Sequence, residues 1–179
     1  MLSRYPFVLL ASGLLVTSLA ASGIFAEDNS AAVTVVEPVA KESEDVPPYV
    51  PKSKVQLRQE LTSMQFKVTQ TEATEPAFRN AYWNNKKKGT YECVVCAMPL
   101  FSDKTKYDSG TGWPSFWNAL NEGRLGFKKD FHLLYPRTEV HCARCQAHLG
   151  HVFDDGPQPT GKRYCMNSAS LKFIPSEEK

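Results

Sequence analysis

Two Cys-x-x-Cys pairs constrain this chain more than anything else in it. They are Cys93-Val94-Val95-Cys96 and Cys142-Ala143-Arg144-Cys145, about 45 residues apart. Each pair can bring two thiolates to one ion, and four thiolates complete a tetrahedral zinc shell with sulfur at about 2.3 Å. Such a site closes a large loop and links distant parts of a small domain. With all four positions filled by protein, the zinc is structural and not catalytic. Disulfides within or between the pairs are the competing reading; the similarity and wide separation of the two pairs favour zinc. The chain has five cysteines, so Cys165 is left without a partner. An unpaired thiol with polar and basic neighbours is a candidate nucleophile, its plain alternative being a buried inert thiol.

The 179 residues amount to about one domain. A formal net charge of +2 gives no electrostatic case for nucleic acid, and Lys86-Lys87-Lys88 and Lys128-Lys129 are too sparse to form a basic face. The N-terminus differs from the rest. Arg4 precedes an uncharged run from Phe7 to Ala26, rich in Ser, Gly and Ala toward its end. Residues 1–26 read as a secretory signal, with an uncleaved membrane anchor as the alternative. Both place the remainder outside the cytoplasm, periplasmic or extracellular. Residues 27–54 carry little large apolar surface and hold Pro47, Pro48 and Pro51, which reads as a disordered linker. The folded domain is expected over 55–176.

Within it, Gln56 to Gln70 has helical character: Leu57, Leu61 and Met64 fall at i, i+4 and i+7, and Thr62 can cap a second turn. Short β-like segments follow at Gly89–Cys93, Phe131–Tyr135, Thr138–His141 and Arg163–Phe173. Turn chemistry separates them at Ser109-Gly110-Thr111-Gly112, Asn121-Glu122-Gly123 and Asp154-Asp155-Gly156-Pro157. No strand–helix alternation is present, which excludes a parallel α/β sheet. The expected fold is mainly β, built of antiparallel sheets, with short N-terminal helices and a four-cysteine zinc site.

Strand alternation around Cys165 puts Arg163, Cys165 and Asn167 on one face and Tyr164, Met166 and Ser168 on the other. On that face the Arg163 guanidinium would favour the thiolate, and the Asn167 amide could orient a substrate or water. His148 and His151 are candidate proton donors for an electrophile under thiolate attack; zinc ligation or surface exposure are the alternatives. His132 and His141 have no such context. Trp113 or Phe116, after the glycine-rich turn, could line a pocket for a sulfur-bearing group, or simply pack in the core.

Taken together, these segments resemble the B-type methionine sulfoxide reductases, which act on the R epimer of methionine sulfoxide. The likeness runs from about Leu61 to Pro175. It includes Thr74-Glu75-Pro76-Ala77-Phe78, Gly112-Trp113-Pro114-Ser115-Phe116, His148-Leu149-Gly150-His151-Val152-Phe153 and Arg163-Tyr164-Cys165-Met166-Asn167. The resemblance implies a fold of antiparallel β-sheets, with Cys93, Cys96, Cys142 and Cys145 as zinc ligands. It makes Cys165 the nucleophile that becomes a sulfenic acid, with His148 and His151 protonating the sulfoxide oxygen. Asn167 and Arg163 flank the nucleophile, Trp113 holds the substrate methyl, and Phe153 is a second wall. Many members carry a resolving cysteine before Gly-Trp-Pro, where this chain has Thr111. The departure implies a one-cysteine cycle, with an external thiol (thioredoxin-like, glutaredoxin-like or small) rescuing Cys165. Expected partners are oxidised proteins and that thiol, with the chain monomeric. A non-catalytic zinc-binding interaction module on the same fold is the alternative.

Overall fold

The structure is a computed structural model that describes residues 49–131 and 136–176. The expectations for residues 1–26 and for most of the linker lie outside the described residues. Tyr49 packs against the core, and Ser53 caps the first helix.

Two helices open the described chain, α1 (Lys54–Glu60) and α2 (Ser63–Thr71). The single apolar stripe expected through Leu57, Leu61 and Met64 does not survive. Leu61 is extended, so the period restarts. Leu57 is buried, Met64 is exposed, and α2 buries Phe66 and Val68 instead. The break has a local cause. Thr62 accepts from the Gln65 amide while the Gln65 side chain accepts from the Thr62 amide, a capping box that starts a new helix.

Nine strands follow among the described residues, and all their pairings are antiparallel, as the turn-rich sequence implied. β1 (Gly89–Cys93), β2 (Pro99–Ser102) and β9 (Leu171–Pro175) form a three-stranded sheet in the order β2-β1-β9. The larger sheet contains β3 (Lys106–Tyr107), β4 (Ser115–Phe116), β5 (Leu125–Asp130), β6 (Arg137–Cys142), β7 (His148–Phe153) and β8 (Arg163–Met166). Its order is β3-β4-β8-β7-β6-β5.

The core joins the two sheets through aromatic rings. Phe101 stacks on Phe116 at 4.5 Å, and Tyr91 meets Phe116 edge-on at 5.0 Å. Each such fully buried ring contributes about 1.5–3 kcal/mol through its apolar area. The two tyrosines keep polar partners: Tyr91 accepts from Asn85, and Tyr164 donates to Glu122.

Arg163–Phe173, expected as one strand, is two strands in different sheets. A 3₁₀ turn at Ser168–Ser170 divides them. The buried Glu75 carboxylate holds that turn by accepting from the amides of Ser168 and Ala169. A distant carboxylate thus overrides a locally continuous β pattern. Phe131 falls after β5 instead of within a strand, and 132–135 lie outside the described residues.

Candidate functional site

Each Cys-x-x-Cys pair occupies a hairpin turn. Cys93 and Cys96 lie in the turn from β1 to β2, and Cys142 and Cys145 in the turn from β6 to β7. The two turns repeat one backbone pattern. Ala97 donates its amide to Cys93 O and Gln146 to Cys142 O, both at 2.9 Å. Ala97 and Gln146 also share the left-handed conformation, with φ of 58° and 61°. The four sulfurs lie within 4.8 Å of one another. Cys93 Sγ is 3.6 Å from Cys145 Sγ, and Cys96 Sγ is 3.5 Å from Cys142 Sγ. A disulfide needs about 2.05 Å, whereas a tetrahedron with metal–sulfur bonds of about 2.3 Å has edges of about 3.8 Å. The four thiols therefore fit a metal ion. One turn belongs to each sheet, so an ion here would staple the sheets together.

Cys165 lies on the interior strand β8, where a single cross-strand row crosses the larger sheet. Tyr107 pairs with Ser115, Ser115 with Cys165, Cys165 with His151, His151 with Glu139, and Glu139 with Lys128. Directly opposed residues share a face. Six strands thus align a thiol, an imidazole, a hydroxyl, a phenol, a carboxylate and an amine.

Cys165 opens into a cavity of about 100 Å³ lined by Thr74, Trp113, Arg137, Gly150, His151, Phe153, Cys165, Met166 and Asn167. That is small beside the ~300–1,000 Å³ clefts of drug-sized ligands, and it suits the end of one side chain. Surface depressions of larger volume exist, such as one of about 480 Å³ at Glu72, Lys128 and Phe131, but its lining holds no cysteine. Gly150 allows the close packing behind Cys165: a Cβ there would sit 2.2 Å from the Cys165 carbonyl oxygen.

Of the expected residues, Cys165, His151, Asn167, Trp113 and Phe153 all meet in this cavity. Of the two candidate aromatics, Trp113 is the one that faces it, and Phe116 is wholly buried in the core. Trp113 Nε1 donates to the Glu75 carbonyl at 3.0 Å. The Asn167 side chain is engaged with backbone: its oxygen accepts from the Glu75 amide at 3.1 Å, and its nitrogen donates to Leu149 O at 3.1 Å. The strand ends at Met166, so Asn167 lies beyond the alternation expected of it.

Two residues sit away from the cavity lining. Arg163 shares the face of Cys165, but its guanidinium pairs in a fork with Asp155 at 2.7 and 2.8 Å. It also stacks 4.3 Å from the Phe153 ring centre. It supports the Phe153 wall. His148 is buried behind His151, ring centres 5.5 Å apart. Its Nδ1 is 3.0 Å from a Glu139 oxygen without hydrogen-bond geometry, and neither ring nitrogen has a hydrogen-bond partner among the described residues.

The Arg163 charge favours the thiolate, as expected of it, but burial acts against it more strongly. Burial pushes the Cys165 thiol above its ordinary range, and this outweighs the lowering by the Thr111 hydroxyl, the Arg163 charge and the Ser115 hydroxyl. Burial also lowers His151, against the raising effect of Asp130. At neutral pH the pair rests as thiol and neutral imidazole.

The sequence reading missed Asp130, Arg137, Glu139 and Glu75. His151 Nε2 is 2.7 Å from Asp130 Oδ2, which also accepts from Arg137 at 2.5 Å. Asp130 follows two lysines in a stretch that reads as a solvated face, so no local signal marks it as buried. Glu75 stands before a proline, where it reads locally only as a helix stop.

The fold and site define a two-sheet β domain with a four-thiol cluster able to hold a metal ion in its hairpin turns and a lone-cysteine cavity on its larger sheet. Residues 61–175 match the model of the SelR domain. The chain is 52% identical over 124 residues to peptide methionine sulfoxide reductase MsrB of Hahella chejuensis, covering 69% of this chain and 89% of that protein. It is 51% identical over 125 residues to methionine-R-sulfoxide reductase B3, mitochondrial, of Mus musculus, covering 70% of this chain and 49% of the mouse protein. It is 54% identical over 134 residues to peptide methionine sulfoxide reductase MsrA/MsrB of Vibrio cholerae, covering 75% of this chain and 35% of that one. The chain thus spans about half of the mouse relative and about a third of the Vibrio relative. It belongs to the SelR-domain family, that of the MsrB methionine sulfoxide reductases.

Proposed function

We propose that this domain reduces the R epimer of methionine sulfoxide in oxidised proteins, with Cys165 as the nucleophile. The observation that carries the reading is the convergence of Cys165, His151 and Trp113 on one cavity sized for a side-chain end; family membership supports it. Trp113, fixed by its bond to the Glu75 carbonyl, and Phe153 hold the apolar S-methyl between rings. Cys165 Sγ attacks the sulfoxide sulfur. Asp130 accepts from His151 Nε2–H, which leaves the other ring nitrogen to take the thiol proton and pass it to the sulfoxide oxygen. The attack forms an S–S bond; as that bond breaks the hydroxyl passes from the substrate sulfur to Cys165, so the substrate loses its S–O bond, methionine leaves and Cys165 becomes a sulfenic acid. The resting thiol and neutral imidazole hold the one proton this step requires. His148 and Glu139 support His151 from behind.

Thr111 occupies the resolving position, and the other four cysteines belong to the cluster. A first external thiol therefore condenses with the sulfenic acid, releasing water and forming a mixed disulfide. A second thiol displaces Cys165 and leaves as the oxidised disulfide. The reductant belongs to the thioredoxin-like, glutaredoxin-like or small-thiol class. Zn²⁺ is the ion that four thiolates and this sulfur spacing favour, and its part is structural. The N-terminal segment, removed or kept as an anchor, places a monomeric enzyme outside the cytoplasm, where secreted or envelope proteins are its substrates.

The test is incubation with a peptide carrying racemic methionine sulfoxide and dithiothreitol, followed by separation of the epimers. Loss of the R form alone, abolished in Cys165→Ser, is expected. Persistence of R-sulfoxide with a folded, metal-loaded protein overturns the proposal.

A further inference from the structure

On the side of Cys165 away from His151 lies a chain of three hydroxyls. Thr111 Oγ1 is 3.8 Å from Cys165 Sγ. Ser109 Oγ is 2.8 Å from Thr111 Oγ1 and 2.7 Å from Ser115 Oγ. Ser115, fully buried, reaches the Trp113 carbonyl at 3.3 Å, and that oxygen can only accept. We propose that these hydroxyls form a relay that reverses direction with the charge on Cys165, giving the sulfur a hydrogen-bond partner as thiol and as thiolate. The relay deepens the reductase reading and rests on it for its purpose, since the attacking species is the thiolate.

Proton counting supports the reversal. A hydroxyl has one proton to donate and two lone pairs. With Cys165 protonated, S–H donates to Thr111, Thr111 to Ser109, Ser109 to Ser115, and Ser115 to the Trp113 carbonyl. Every donor is satisfied. With Cys165 ionised, Thr111 donates to the sulfur, Ser109 to Thr111, and Ser115 to Ser109. Only the bond from Ser115 to the Trp113 carbonyl, at 3.3 Å, is given up. The Thr111 amide, 3.4 Å from Ser109 Oγ, holds that hydroxyl in place in both states without exceeding its capacity. No proton changes owner; each hydroxyl turns about its C–O bond. Thr111, which cannot form a disulfide, would in this way serve the attacking thiolate instead of the later sulfenic acid on which a resolving cysteine acts.

Other groups also act on this sulfur. They are the Ser115 hydroxyl acting directly from β4, His151 from β7, Arg163 from β8 with its partner Asp155, Tyr107 from β3, and Arg137 with Asp130 at the cavity. Substitutions confined to Thr111 and Ser109 leave all of them in place.

The experiment measures the rate of iodoacetamide alkylation at Cys165 against pH, read by mass on the Cys165 peptide of the metal-loaded protein. No sulfoxide is present, so the readout is independent of reductase activity. Thr111→Val keeps the shape and removes the hydroxyl. It is expected to move the titration midpoint upward and slow alkylation at pH 7 on the order of tenfold, the usual size of one hydrogen bond to a charged group. Rates should converge at high pH. Ser109→Ala, which does not touch the sulfur, should shift the midpoint in the same direction, and Thr111→Ser should restore it. An unmoved midpoint in Thr111→Val and Ser109→Ala overturns the relay, as does a Thr111→Ser midpoint equal to that of Thr111→Val. A protein that shows the shifts yet reduces no sulfoxide keeps the relay and loses the reductase reading; an active reductase with unmoved midpoints does the reverse.

Discussion

Asp130 and His151 meet through one oxygen: His151 Nε2 lies 2.7 Å from Asp130 Oδ2, and Arg137 reaches the same atom at 2.5 Å. The residues are 21 positions apart, and they sit on β5 and β7 with β6 between them. The carboxylate fixes the tautomer of His151, and Arg137 fixes the carboxylate. In Asp130→Asn the amide oxygen is a weaker acceptor, and the NH₂ group can compete for the ring. The reduction rate should fall at least on the order of tenfold, with KM for a peptide sulfoxide little changed, because the lost part is proton transfer. Steady-state kinetics on the two proteins check this. A rise in KM at unchanged kcat would place Asp130 in binding instead.

The depressed pKa of His151 gives stability a pH dependence of definite sign. Burial lowers the group below its ordinary value of 6.5 in the fold. Between that value and the depressed one, the unfolded chain binds more protons than the native domain, so stability falls as pH falls. The contribution is fully present above about pH 6.5 and is lost as pH drops through the native value. Melting curves from pH 7.5 downward should show this slope, and His151→Gln should flatten it. A His151→Gln slope equal to the parent's would contradict the assignment.

Metal removal should unfold the link between the sheets. Structural zinc in small domains is worth on the order of 10 kcal/mol of binding free energy, much of it expressed as folding. A strong chelator, or Cys96→Ser, should lower the melting temperature by at least about 10 °C. The protein as purified should contain one equivalent of zinc by elemental analysis. A chelated protein with an unchanged melting curve would remove the structural role.

Thr111→Cys should restore a two-cysteine cycle. The Thr111 hydroxyl already lies 3.8 Å from Cys165 Sγ, so a thiol placed there is within reach of a sulfenic acid. After one turnover without reductant, mass analysis should find dimedone-trappable Cys165 in the parent. In Thr111→Cys it should find a disulfide between the introduced thiol and Cys165. A disulfide from Cys165 to a cluster cysteine in the parent would end the one-cysteine scheme.

Glu75 holds three parts of the site at once. Its carboxylate accepts from Ser168 and Ala169, its amide donates to Asn167, and its carbonyl accepts from Trp113. In Glu75→Gln one buried amide of the turn loses its acceptor, a change of about 1–3 kcal/mol. Denaturant melts should show that loss. Because Trp113 and Asn167 are tied to the same residue, KM for sulfoxide should rise as well. A stability loss with unaltered kinetics would mean that the clamp does not shape the cavity.

The sequence by itself determined the parts of this protein that are written locally. The two Cys-x-x-Cys turns are legible because a metal knuckle is a local backbone motif, and the four sulfurs do converge. The antiparallel class follows from short β segments and turn residues, and the lone thiol from counting cysteines. The tertiary structure decided what depends on partners far along the chain. It divided Arg163–Phe173 into two strands, because Glu75 captures Ser168 and Ala169 from more than 90 positions away. It sent Phe116 to the core and Trp113 to the cavity, turned Arg163 onto Phe153 and Asp155, and buried Asp130 against His151. It also added to the expected pull of Arg163 on Cys165 a larger opposing effect, burial. Neighbours in sequence say which charges stand beside a thiol, but only the packed sheet says how much water it has lost, and at Cys165 burial outweighs the Arg163 guanidinium.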